Sequence, residues 1–349
     1  MSTGIVFSPI DITEEHIVSG PPSAEAQVYD AGTTYATDDE VWYGGNAWRS
    51  LVDSNLGNTP VEGANWTDLG EVDKGALAWA AGTYADEVYA IKDHRIWRST
   101  KPSNTSTPGA TDETATDWQD YGPVNRHRPF DKHLNRFALL KGKLKYVIDM
   151  PSRATQGFAL FPIGGTLSIT KEADSEVIYS QSESLVRDSG GYFYNYFNAP
   201  IETKSLVIFQ DMRSAPTERI TVTITGAEDA QVGVAQLAFG YGYEMGRIIA
   251  PADIGLSGFV RITFDDFGNP VSPERPKQTT VNFTVSLPSL DNARLLSTLA
   301  PMVQRPVGAF MRDGGPFGLV AYGFLDDVLL TNPRRPISNT NIKVIGFQQ

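Results

Sequence analysis

The chain has 349 residues, 41 acidic against 29 basic, a net charge of −12 with His neutral, and no Cys. A single core rarely exceeds roughly 250–300 residues, so several domains are expected; without Cys there is no disulfide framework, thiolate metal site or thiol nucleophile. The four His (His16, His94, His127 and His133) are scattered, which argues against a His-rich metal centre, and no run approaches the roughly 20 apolar residues of a membrane helix.

The first 27 residues carry a weak pattern. Met1-Ser2-Thr3-Gly4 has neither a basic region nor an apolar run, so no signal peptide is expected. Ile5-Val6-Phe7 and Ile10-Asp11-Ile12 each read as a short strand, and Gly20-Pro21-Pro22-Ser23 reads as a linker. Residues 1–27 are therefore expected to form an N-terminal arm, free to dock on a neighbour.

Residues 28–70 and 71–123 repeat one another. Tyr29 to Tyr35 is answered by Trp79 to Tyr84, Glu40-Val41-Trp42 by Glu87-Val88-Tyr89, and Trp48-Arg49-Ser50 by Trp97-Arg98-Ser99. Asn55 and Pro60 match Asn104 and Pro108, and both copies close on Trp-x-Asp-x-Gly, at Trp66 and Trp118. Runs of three to six residues between Gly, Pro, Asn and Asp predict short strands and tight turns. So short a unit has few aliphatics, and its Trp and Tyr must supply part of the core. The copies differ in spacing: Tyr to Glu shortens from five to three, and Val to Trp lengthens from seven to nine. On that alignment Lys92-Asp93-His94-Arg95 is inserted where the first copy has Gly44-Gly45-Asn46. Charge sets the repeats apart too: residues 1–123 hold 20 acidic and 6 basic side chains, the other 226 hold 21 and 23. An acidic module is a poor partner for nucleic acid, since phosphate contacts need Lys and Arg.

This order of residues resembles the small chitin-binding-type carbohydrate-binding modules, three-stranded units found on glycan-degrading enzymes and bacteriophage tail proteins. The resemblance implies that Trp66 and Trp118 are structural and that rings on the exposed sheet stack on sugars. It offers Trp42, Tyr43, Trp48, Tyr89 and Trp97 as glycan-binding candidates. A pyranose presents an apolar C–H face to such a ring, and clustered exposed aromatics mark binding surfaces.

Pro123 to His133 is basic and Pro-bounded, and reads as a domain junction, with an anion site as the alternative. Residues 134–245 predict strands throughout, with period-2 alternation at 143–148, 165–170 and 219–225, and the domain 124–245 is expected to be a jelly-roll-like β-sandwich. Gly190 to Phe197, with five aromatics in six residues, offers a ligand surface or an intersubunit contact. Residues 246–349 predict strands near 259–264, 279–285, 307–311, 318–330 and 341–347 and one helix over 291–299, capped by Ser289 or Asp291. This order resembles the β-sandwich with one helix of bacteriophage tail-tube and distal-tail proteins. The fold class is thus all-β and multi-domain: two small three-stranded aromatic modules, a jelly-roll-like sandwich and a C-terminal β-sandwich with one short helix.

No catalytic constellation stands out. Asp265-Asp266 and Asp326-Asp327 are adjacent acids, expected at strand ends, and neighbours in a strand point to opposite faces. Asp112-Glu113 to Asp117 offers weak cation ligands; no metal or cofactor is expected. The resemblances imply a structural, non-enzymatic component of a virion, in a bacteriophage tail tip or baseplate. Its implied setting is manufacture in the host cytoplasm, symmetric homo-oligomerisation, other tail proteins as partners, a host surface glycan as a ligand, and no membrane insertion. The alternatives are a carbohydrate-active enzyme carrying binding modules, and a tail protein whose repeats are structural adaptors.

Overall fold

The computed structural model describes residues 3–111, 114–131, 133–186, 203–258, 263–264, 270–271, 277–312, 320–334 and 337–348. The aromatic run 190–197, Asp112, Glu113 and the pair Asp265-Asp266 lie outside them. The protein is all-β, with sheets throughout and, among the described residues, one short α-helix, Asn292–Leu299. Among the described residues no helix is long and apolar enough to cross a membrane.

Two sheets form the central sandwich. One has five strands in the order Glu176–Ser184, Thr166–Ala173, Glu218–Thr225, Lys143–Met150 and Ile17–Ser19; the other has three, Leu206–Phe209, Gln156–Leu160 and Gln236–Gly240. The alternation seen in the sequence sets which face is buried. Leu144, Tyr146, Ile148, Leu167, Ile169, Ile220, Val222 and Ile224 point inward and meet Phe209, Leu237 and Phe239 from the facing sheet. Lys171 also points inward, against the alternation rule's preference for apolar residues there. It pairs with buried Glu218 at 3.0 Å and donates to the Ala154 carbonyl. Burial pulls the Lys171 pKa down, and the pairing with Glu218 opposes that pull.

The C-terminal region is a closed six-stranded barrel rather than the expected sandwich. Its strands run Thr3–Phe7, Gly242–Gly258, Lys277–Pro288, Ile337–Gln348, Val320–Arg334 and Pro306–Met311, and the last pairs back to the first. Closure removes the open edges that an isolated sheet would expose. Leu295 and Leu299 of the helix join the barrel core beside Phe283, Val285, Ile342 and Val344. Asp291 occupies the helix N-cap position, but its side chain makes no capping bond.

The N-terminal residues are not a free arm. Thr3–Phe7 closes the barrel between two C-terminal strands, and Ile17–Ser19 is an outer strand of the sandwich. Ile5 and Phe7 face a cluster with Phe158 and Phe310, while Val6 faces the barrel core. A strand buried on both faces needs an unbroken apolar run, and Ile5-Val6-Phe7 supplies it. Phe7 lies edge-on to Phe158, with centroids 5.0 Å apart. A Cβ on Gly308 would come within 2.3 Å of the Phe7 ring. Gly20-Pro21-Pro22-Ser23 is buried rather than a loose linker, and 10–12 forms no strand. Asp326-Asp327 sits within a strand, at a bulge, and not at its end.

The two repeats are built alike. Each has a β-hairpin, Glu40–Tyr43 with Asn46–Ser50 and Tyr89–Lys92 with Arg95–Ser99, and a third strand, Trp66–Glu71 or Trp118–Pro123. The second adds Leu77–Ala78 as a parallel fourth strand.

Candidate functional site

The hairpins correct the sequence alignment. Both turns contain two residues, Gly44-Gly45 and Asp93-His94, all with positive φ. Trp48 donates its indole N–H to the Tyr43 carbonyl (3.1 Å), and Trp97 donates to the Lys92 carbonyl (3.3 Å). Tyr43 therefore corresponds to Lys92, Trp42 to Ile91, and Glu40 to Tyr89. Nothing is inserted at the second tip. Glu87-Val88 corresponds to Asp38-Asp39, two residues earlier than the shared Glu-Val suggests: Asp38 and Glu87 both have positive φ, and their amides donate to the Ser50 and Ser99 carbonyls.

The shared motifs hold the scaffold. Asn55 donates its side-chain amide to Ser50 Oγ (3.0 Å) and the Asn65 carbonyl (3.2 Å); Asn104 does the same to Ser99 Oγ (3.2 Å) and the Asp117 carbonyl (2.8 Å). Trp66 and Trp118 are buried, and their indoles donate to the carbonyls of Asn58 and Ser106. In each closing motif the Asp accepts the amide of the following Gly, Asp68 from Gly70 and Asp120 from Gly122, beside a register shift in the sheet. The shift is a β-bulge, and the positive φ of Gly70 (98°) and Gly122 (122°) is why the motif ends in glycine.

Strand alternation divides the five candidate rings between two faces. Trp42 and Ala47 point toward the sandwich and join its core; Trp42 is only 8% exposed. Tyr89 points the same way and packs on that core, edge-on to exposed Tyr121. These two rings face the sandwich and serve packing there. Tyr43, Trp48 and Trp97 lie on the opposite face. Trp97 has a loop against it, since a Cβ on Gly109 would meet its ring at 3.3 Å and Lys92 Nζ donates to the Pro108 carbonyl. Tyr43 is 41% exposed and lies edge-on to Tyr29, while Trp48 is half-buried beside Tyr29, Tyr35 and Trp66. The structure thus brings Tyr43 and Trp48 together on one hairpin and leaves the other three apart from them.

The modules are joined firmly to the body. Glu40 and Arg49 pair at 2.7 Å with little exposure, and Arg49 also donates to the Lys143 carbonyl (3.1 Å). Burial raises the Glu40 pKa even with Arg49 beside it. The basic stretch after Pro123 begins as buried structure, from Pro123 to Arg126. Arg126, 3% exposed, donates to both Glu14 carboxylate oxygens (3.0 Å each), Gln27 Oε1 (2.7 Å) and the Ile17 carbonyl (2.6 Å). That stretch repeats the role of residues 72–75: Val72 donates to the Gly45 carbonyl at the first tip, Val124 to the His94 carbonyl at the second.

Sequence reading separated His94 from His127; folding stacks their rings, centroids 4.8 Å apart. Of the weak acidic loop, Asp117 is engaged by Lys101 at 2.6 Å. A groove of ≈ 530 Å³ beside the helix, lined by Tyr243, Met245, Arg247, Leu287 and Arg294 among others, contains none of the candidate rings. No protein-family model matches the chain, and comparison with curated proteins gives no significant match.

Proposed function

We propose that the protein is a structural component of a bacteriophage tail tip or baseplate whose first module contacts a host surface glycan through Tyr43 and Trp48. The observation that carries the glycan contact is the fixed pose of these rings. The Trp48 indole is tied to the Tyr43 carbonyl, so the hairpin offers an aromatic surface that loses little side-chain freedom on binding. The tail setting rests on the resemblance of the repeats and of the strand–helix–strand order at the C-terminus. Symmetric copies beside other tail proteins would multiply a contact that is about millimolar alone, by about 10²-fold or more.

The test uses the full chain, because the modules share the core of the sandwich. Binding to a glycan array should be lost in Tyr43→Ala and Trp48→Ala and retained in Tyr121→Ala. Equal binding by all variants removes the glycan role. A second reading, in which the repeats are structural adaptors, is favoured by the burial of Trp42 and by the Arg49 contacts. It predicts no glycan binding by any form, and assembly with tail partners that fails when the outer face of the modules is altered.

A further inference from the structure

Glu14, His94 and His127 come from three separate parts of the chain. Glu14 lies in a short 3-10 turn of the N-terminal segment, His94 at the tip of the second hairpin, and His127 in the junction after the repeats. One potential ligand atom from each lies within 4.8 Å of the other two. We infer that these three side chains form a site for a divalent transition metal that favours imidazole, of which Zn²⁺ is the type.

The side chains suit that chemistry. Two imidazoles and a carboxylate are a common three-ligand set for Zn²⁺, with water in the fourth position. His127 Nε2 is 2.8 Å from Glu14 Oε2. Bonds of about 2.0–2.1 Å in a tetrahedral site separate ligand atoms by about 3.3 Å. That pair is therefore within about half an ångström of coordinating geometry, and the ion would replace the proton between them. His94 is held by Glu25, whose Oε2 lies 3.1 Å from Nδ1 and accepts the His94 backbone amide at 2.9 Å. A carboxylate on one ring nitrogen fixes the tautomer and leaves the other, Nε2, to bind metal.

Two features set the affinity. The stacked rings diverge by only 21°, so both cannot point at one ion as they stand. His94 must turn while its Nδ1 stays within reach of Glu25, and its side chain, 41% exposed at a hairpin tip, has room to do so. Arg126 shares the Glu14 carboxylate and lowers its affinity for a second cation. Once bound, the ion would tie the second module to the N-terminal segment and the junction at a single point.

Calorimetric titration of the metal-free full chain with Zn²⁺ at neutral pH tests this. One ion per chain is expected. His94→Ala should weaken binding at least tenfold, and Glu25→Gln by about 10–100-fold through loss of the tautomer lock. His133→Ala, at an exposed His away from the cluster, should leave binding unchanged. His127→Ala removes a half-buried ring that supports the fold, so His94→Ala carries the decision. Absence of saturable Zn²⁺ binding, or binding that His94→Ala leaves intact, overturns the site.

Discussion

Asp73 is the residue whose setting differs most from what its type suggests. Its Oδ1 accepts the Asn125 amide at 2.6 Å and lies 3.6 Å from Arg128, while Oδ2 is buried without a hydrogen-bond partner among the described residues. Burial pushes its pKa up to about 6, against the opposing charge of Arg128. The native state thus holds the proton more tightly than the unfolded chain, whose Asp titrates near 3.8. Stability from this group is full below the unfolded value and is lost as pH rises through the native one. Asp73→Asn should remove that dependence. Between pH 5 and pH 7 the stability of the wild type relative to the variant should fall by about 1 kcal/mol, as read from urea unfolding at both values. Asn125, at the matching place in the second copy, is a natural neutral counterpart. Nothing in the sequence separates Asp73 from the other acids of the acidic half, because its burial is made by residues 52 positions away. The candidate rings show the same limit: the resemblance offers five aromatics as a set, and only pairing register assigns each to a face.

At the scale of the hairpin, the two repeats keep the residues that close the fold and vary the rest. Asn55 and Asn104 each bridge a serine hydroxyl and a distant carbonyl inside the module. Asn55→Ala or Asn104→Ala should destabilise the protein by about 2 kcal/mol, since buried polar partners are left unsatisfied, and equilibrium denaturation will show it. Trp42→Ala should cost about 3–5 kcal/mol by opening a cavity in the shared core, while Tyr43→Ala on the opposite face should change stability little. The duplication was legible because Trp-Arg-Ser and Trp-x-Asp-x-Gly recur intact. Ahead of Trp-Arg-Ser the structural alignment differs by two residues, because Glu-Val recurs by coincidence where backbone bonding matches Asp38-Asp39 with Glu87-Val88. Side-chain identity is free to drift at positions where only the backbone is used.

For the whole molecule, the all-β class and most sandwich strands followed from period-2 alternation. The way the chain is threaded did not, because strand pairing across hundreds of residues leaves no local trace. Thr3–Phe7 pairs with Gly242–Gly258 and Pro306–Met311, and Ile17–Ser19 pairs with Lys143–Met150, so the repeats are an excursion between parts of one body. Sandwich and barrel meet through Phe7, Phe158, Phe310 and Tyr322, with Gln236 donating to the Tyr322 hydroxyl at 2.8 Å. Phe7→Ala should cost about 3–5 kcal/mol and lower the melting temperature of the body as a unit. Gly308→Ala should cost about 1–3 kcal/mol, because the new methyl collides with the Phe7 ring.

That first strand also sets the order in which the chain can be made. Ile5, Val6 and Phe7 leave the ribosome before either strand that will flank them, and must wait for about 300 further residues at roughly 5–20 residues per second. Both edges of this short apolar strand are unpaired until Gly242–Gly258 emerges, and one remains so until Pro306–Met311 follows. Pairing of strands so distant in sequence is slow, so the capture of Thr3–Phe7 between Gly242–Gly258 and Pro306–Met311 should limit barrel closure.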